Sequence, residues 1–312
     1  MAVPMKYKKM KDFRKYYSGN KTAPVLTIFV GGNHEAMNYL KDLYYGGWVA
    51  ENIYFLGYSG VINIDGLRIA GVSGIHNGSD CKKGYFEDYP YDRSEIRSAF
   101  HTRQYEIMKL SLVKEPIDIF LSHDWPTVVG DLSDFRMLTR IKPFFKKDLQ
   151  NHCLGSPFLS NLCDILQPRF WFAAHLHIHW EVDIEHKDRF GDHDGSRVTH
   201  FMSLDKPIIN RGFMDILSIQ SREKAKNEEI DNYKRLYSSM KKFCPSNFEV
   251  VSDVDAQSDS SMPEEAEGEG EFYKICLLLS YYLLKILPSF STNILINFSQ
   301  LLDLKYLSLI SL

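Results

Sequence analysis

Pro24-Val25-Leu26-Thr27-Ile28-Phe29-Val30 runs directly into Gly31-Gly32-Asn33-His34-Glu35. The apolar run is short and ends at a glycine pair, which reads as a buried strand closing in a tight turn. The strand-then-ligand pattern recurs twice downstream. Ile117-Asp118-Ile119-Phe120-Leu121-Ser122 leads into His123-Asp124, and Phe170-Trp171-Phe172-Ala173-Ala174 leads into His175-Leu176-His177. Imidazole nitrogens and amide oxygens suit zinc, iron and manganese, and strand ends hold them in fixed directions. Asn33 would ligate through its side-chain oxygen, and His123, His175 and His177 through ring nitrogens. In a strand His175 and His177 share a face; in a turn both can reach adjacent metals. A His-x-His alone is a weak signal, and nearby His179 reads as a surface residue. Three ligand-bearing strand ends in one chain are hard to obtain by chance.

Outward from these segments the chain alternates strands and helices. Residues 53–56, 61–64 and 68–73 are strand candidates separated by turns at Gly57, Gly60 and Asp65-Gly66, which predicts a β-meander. Residues 92–110 have helical spacing. Ser156-Pro157 reads as an N-cap followed by proline at the first helical position, opening a helix through about Leu166. Polar ligands at strand ends of an α/β chain place the site along one edge of a sandwich.

The 312 residues, 44% apolar, are ample for one large domain or two modest ones. The formal charge of −3 does not mark a generic nucleic-acid binder, yet it is unevenly spread. Lys6, Lys8, Lys9, Lys11, Arg14, Lys15 and Lys21 crowd the beginning, while 253–271 carries only acids. A basic end beside such a site favours a polyanionic substrate, and a solvated helix face is the plain alternative. Cys81, Cys153, Cys163, Cys244 and Cys276 show no paired or metal-finger spacing and read as reduced thiols. No apolar secretory segment opens the sequence.

The domain reading is a metallo-domain over 1–220, a short remnant of a second domain over 221–251, an acidic disordered linker over 252–271 and an apolar tail over 272–312. Ser280, Lys285 and Pro288 interrupt the tail, which is too short and broken for a confident membrane span, so no stable membrane association is expected. The tail reads as an extension without a partner core, from alternative splicing or read-through.

Tyr45-Gly46-Gly47-Trp48-Val49-Ala50, Ser122-His123-Asp124-Trp125-Pro126, Leu154-Gly155-Ser156-Pro157, Ala174-His175-Leu176-His177 and Leu204-Asp205-Lys206 join Gly31-Gly32-Asn33-His34-Glu35 in one pattern. Over residues 1–215 the sequence resembles the RNA lariat debranching branch of the calcineurin-like metallophosphoesterases. The resemblance implies an α/β fold of αββα layers and hydrolysis of the 2′,5′-phosphodiester of excised intron lariats, in the nucleus, with branched RNA as partner. It implies two divalent transition metals (Fe, Zn or Mn) per site. Asn33, His123 and His175 would hold one and His177 the other. His34 would be the general acid that protonates the departing 2′-oxygen. Glu35 and Asp124 would orient the histidines. Residues 75–102 match the insertion that recognises branched RNA in that family. They carry Lys82, Lys83, Tyr85, Phe86, Tyr89, Tyr91, Arg93 and Arg97, with Arg103 just beyond. Interleaved cations and aromatics suit phosphates and splayed bases.

The family also has an upstream strand ending in Cys-x-His and another ending in Gly-Asp, and this sequence does not contain them. The expectation is an N-terminally truncated member, with one metal or none. Debranching should fall by more than about 100-fold, since changes merely next to metal ligands cost 10–100-fold. Unpaired backbone along the strand that ends at Val30 is expected too. The alternatives are a branched-RNA-binding remnant without activity and a metallophosphoesterase with another substrate.

Overall fold

Alternation along β1 (Leu26–Val30) divides the molecule into layers. Phe29 packs with Tyr16, Met37, Leu40 and Phe55 on one side of the strand. Ile28 and Val30 pack on the other with Leu67, Ile69, Ile119, Leu121 and Phe172. A strand buried on both faces needs this two-sided apolar sequence. The computed structural model describes residues 2–4, 8–64, 66–186, 197–220, 272–278 and 293–298.

The further strands are β2 (Gly47–Ala50), β3 (Ile53–Phe55), β4 (Ser59–Ile64), β5 (Leu67–Val72), β6 (Ile119–Ser122), β7 (Phe170–Ala173), β8 (Trp180–His186), β9 (Arg197–Ser203), β10 (Met214–Gln220), β11 (Phe272–Leu278) and β12 (Asn293–Phe298). The helices are α1 (Phe13–Tyr17), α2 (Met37–Leu40), α3 (Glu95–Ser98), α4 (Gln104–Ser111), α5 (Thr127–Leu132), α6 (Phe135–Ile141), α7 (Lys146–Gln150) and α8 (Pro157–Leu166). Among the described residues the strands form two six-stranded sheets, ordered β10-β11-β12-β1-β3-β2 and β4-β5-β6-β7-β9-β8. The Ile28 cluster fills the space between them. The outer face of the second sheet meets α4 and α8 through Phe120, Trp171, Ile107, Leu110, Leu159 and Leu162. This is the αββα sandwich that the sequence predicts.

Several local expectations are corrected. Residues 53–73 form no meander, because β3 and β4 belong to different sheets. The chain crosses between them at Gly57, whose φ of 90° brings it against the backbone of Tyr44 and Gly46. Gly60 lies within β4 rather than in a turn, and only the Gly66 turn makes a hairpin, β4 with β5. The helix over 92–110 is broken. The amide of Ile75 donates to Phe100 O and that of Thr102 to Ile75 O, which holds 100–102 extended between α3 and α4. The helix over 157–166 is as expected: Ser156 caps it, its hydroxyl accepting from the Leu159 amide at 3.4 Å.

The expected bare edge on β1 is occupied. β3 pairs with one side and β12 with the other, both parallel. Residues 272–278 and 293–298 of the apolar tail therefore have a sheet as partner, contrary to the reading of a tail with nothing to pack on. The expected remnant at 221–251 and the acidic linker at 252–271 lie outside the described residues. Among the described residues no helix is long and apolar enough to cross a membrane.

Candidate metal centre

The turn after β1 is held from both sides. The Gly31 amide donates to Ser73 Oγ at 2.9 Å, and the Ser73 hydroxyl donates to Gly57 O at 2.6 Å. The Gly74 amide donates to Gly31 O at 2.8 Å. Gly32 then passes against the imidazole of His123, so closely that a Cβ there would sit 2.6 Å from the ring. Only glycine allows β1 and β6 to bring their ends together at this distance. Asn33 follows, and its Oδ1 lies 3.1 Å from His123 Nε2.

β6 and β7 are joined at the same level. The Ala174 amide donates to His123 O at 3.1 Å, and Trp125 Nε1 donates to Ala174 O at 3.0 Å. β7 ends at Ala173, and the chain leaves it in a turn where His175 and His177 both adopt left-handed backbone, φ 47° and 55°. Non-glycine residues rarely accept that conformation, and it concentrates at functional sites. Of the two expected arrangements of His-x-His, the turn is the one present. The rings of His123 and His175 stand 4.9 Å apart.

His123 is 1% exposed. Burial drives its pKa well below the ordinary imidazole value, and the neighbouring rings of His175, His177 and His34 push the same way. It is therefore a neutral imidazole, the form that ligates metals. Its Nδ1 is buried and without a hydrogen-bond partner. The other ring nitrogen, Nε2, is the one that faces Asn33. Ligands about 2.0–2.2 Å from one ion stand roughly 3–3.5 Å from each other, the spacing that Asn33 Oδ1 and His123 Nε2 show. The donor set fits a divalent transition metal.

The two carboxylates act on the backbone. Glu35 Oε1 accepts from the Gly32 amide at 3.3 Å. Asp124 accepts from the amides of His76 at 3.0 Å and Trp125 at 2.9 Å. Each steadies the loop that presents a donor. His76 and Ser73 are positioning residues that no sequence motif announced. His179 Nε2 lies 3.8 Å from Glu181 and 4.0 Å from Asp215, a more exposed grouping.

Residues 5–179 match the family model described as calcineurin-like phosphoesterase. The chain belongs to the calcineurin-like phosphoesterase family. It is 48% identical over 220 residues to lariat debranching enzyme A of Xenopus laevis, covering 70% of this chain and 41% of that protein. It is 49% identical to the lariat debranching enzyme of Homo sapiens, over 70% of this chain and 40% of the relative. Against that of Arabidopsis thaliana it is 48% identical, over 71% and 51%. The chain thus spans about two fifths to one half of the length of these relatives.

Within this phosphoesterase domain the 75–102 segment divides by burial. Lys82, Lys83, Phe86 and Arg93 are exposed, while Tyr91 is half-buried. Lys83 pairs with Asp80 at 2.7 Å and lies over the Phe86 ring. Tyr85 meets the rings of Tyr44 and Tyr58 edge to face. Arg103, expected as a surface cation, is 1% exposed, sits 4.8 Å over the Tyr85 ring and pairs with buried Glu87. Arg103 is thereby taken up by packing with Tyr85 and Glu87. Cys81, Cys153 and Cys163 are free thiols, as expected.

Proposed function

We propose that this chain carries the metal-binding and acid groups of an RNA lariat debranching hydrolase, which cleaves the 2′,5′-phosphodiester of branched intron RNA in the nucleus during intron turnover after splicing. The observation that carries the reading is the meeting of three strand ends, with Asn33 Oδ1 3.1 Å from His123 Nε2 and the His123 and His175 rings 4.9 Å apart. The similarity to proteins named lariat debranching enzymes supports the substrate. Iron, zinc or manganese, when bound, would supply positive charge to the phosphoryl oxygens and acidify water. Asn33, His123 and His175 would hold one ion and His177 a second. His34, one residue from Asn33, would hold a proton on its imidazole and deliver it to the departing 2′-oxygen. The exposed Lys82, Lys83 and Arg93 would meet RNA phosphates, and Phe86 a base.

The test is a debranching assay on synthetic 2′,5′-branched RNA, with iron, manganese or zinc supplied separately. Cleavage that His34→Ala lowers by at least about 100-fold supports the reading, since general acid catalysis contributes about 10²–10⁴-fold. Folded chain that binds branched RNA tightly without cleaving it assigns the chain to recognition alone. Equal handling of linear and branched RNA overturns both.

A further inference from the structure

We infer that the side of β1 facing away from β3 is a strand-accepting edge, and that its occupant is the chain's own residues 293–298, docked parallel in cis. The register is unbroken over five pairs, from Leu26 opposite Ile294 to Val30 opposite Phe298. β12 in turn carries β11, from Lys274 opposite Asn293 to Leu278 opposite Asn297. β11 closes on β10 through seven antiparallel pairs, Met214 with Leu278 to Gln220 with Phe272. The segment thereby bridges β1 and β10, which are not neighbours in the sheet.

Backbone chemistry on β1 defines the edge. The Thr27 amide donates to Asn52 O, and Phe29 O accepts from the Leu56 amide, so both residues address β3. Alternate residues of a strand address opposite neighbours. Ile28 and Val30 therefore address the other side, at the centre of the sandwich, where an unmatched amide would be expensive. Asn293-Ile294-Leu295-Ile296-Asn297-Phe298 suits that place: it is uncharged, mostly apolar on both faces and rich in isoleucine. The occupant matters beyond stability. β1 runs without interruption into Gly31-Gly32-Asn33-His34, so the strand that pins β1 also pins the loop holding two groups of the candidate centre.

Amide hydrogen exchange on the full chain tests this residue by residue. The expected result is that Ile28 and Val30 exchange as slowly as Thr27 and Phe29, at protein concentrations where the chain is monomeric. Leu295→Pro, which puts a residue without an amide in the middle of β12, should speed Ile28 and Val30 at least tenfold and affect Thr27 and Phe29 less. Fast exchange at Ile28 and Val30 in the parent chain overturns the inference, as does a Leu295→Pro variant in which neither changes. Protection that appears only with dimer formation on dilution and concentration also overturns it, because the strand would then come from a second copy.

Discussion

Two buried polar clusters flank the same sandwich, and they resolve burial in opposite ways. Around Arg103 the charges cancel within the protein. Arg103 pairs with Glu87 and lies over Tyr85, while Glu106 accepts from Tyr44 and Ser59 and meets Lys109 at 2.6 Å. Around His123 the facing groups are metal-type donors: imidazoles and an amide oxygen meet one another, and the nearby Glu35 and Asp124 accept from backbone amides. The first cluster balances its charges within the protein, although Arg103 Nε and Nη1 find no hydrogen-bond partner among the described residues, and it holds α4 against the strands. The second is a set of donors that an external cation would complete. Neither burial nor an unpartnered polar atom alone therefore marks a site; metal-type donors brought together from different strand ends do.

The sharpest way to break this contrast is to remove one member of each cluster. Arg103→Met strands Glu87 in the interior and should cost about 3–5 kcal/mol in urea denaturation, the range for an uncompensated buried charge. Metal stoichiometry of the molecules that remain folded should not change. His123→Ala should show the reverse: a smaller stability loss, and cobalt or zinc affinity lower by at least about 100-fold, more than a change beside the ligands would produce. If Arg103→Met weakens metal binding as strongly as His123→Ala, the two clusters are one unit and the contrast fails.

The two clusters also differ in how far the sequence discloses them. The donors of the His123 cluster follow apolar runs that can only be strands, and each strand end constrains where its ligand points. Gly32 and His123 lie 91 positions apart, yet the glycine is intelligible only from their contact. The Arg103 cluster has no such signature. Lys82, Tyr85, Arg93 and Arg103 look alike as cations and aromatics in a loop, and burial divides them through tertiary packing that no short pattern encodes. The helix over 92–110 failed for a related reason. Its periodicity is sound locally, but Thr102 and Phe100 pair with Ile75, and that long-range backbone pairing outweighs propensity. The β12 partner of β1 was illegible because more than 260 residues separate Leu26 from Ile294.

Acid provides a finer separation. The folded-state pKa of His123 is depressed by burial, whereas an unfolded histidine takes its proton near pH 6.5. The unfolded chain therefore binds protons first, and stability falls as pH drops below about 6.5, by up to about 1.4 kcal/mol per unit. His76, also lowered chiefly by burial, adds in the same direction. Melting temperatures of metal-free protein between pH 8 and pH 5 should show the fall. His123→Ala should flatten it, and Arg103→Met should leave its slope in place; an unchanged profile in His123→Ala would assign the acid sensitivity elsewhere.

The smallest effect lies at Ser156, which caps α8 next to the loop that follows His123. Its hydroxyl accepts from Leu159, but its backbone separately accepts from the Thr127 amide and donates to Trp125 O at 2.7 Å. Ser156→Ala removes only the cap, so the cost should be about 1 kcal/mol. The two backbone links that tie α8 to the His123 loop survive the substitution, so metal affinity should stay within about twofold, and Ser156→Asp should recover most of the stability because a carboxylate caps as well. If affinity instead falls with the cap, the loop is held by the helix end rather than by its own backbone bonds, and the donors around His123 are less independently fixed than the Gly32 and Ala174 contacts imply.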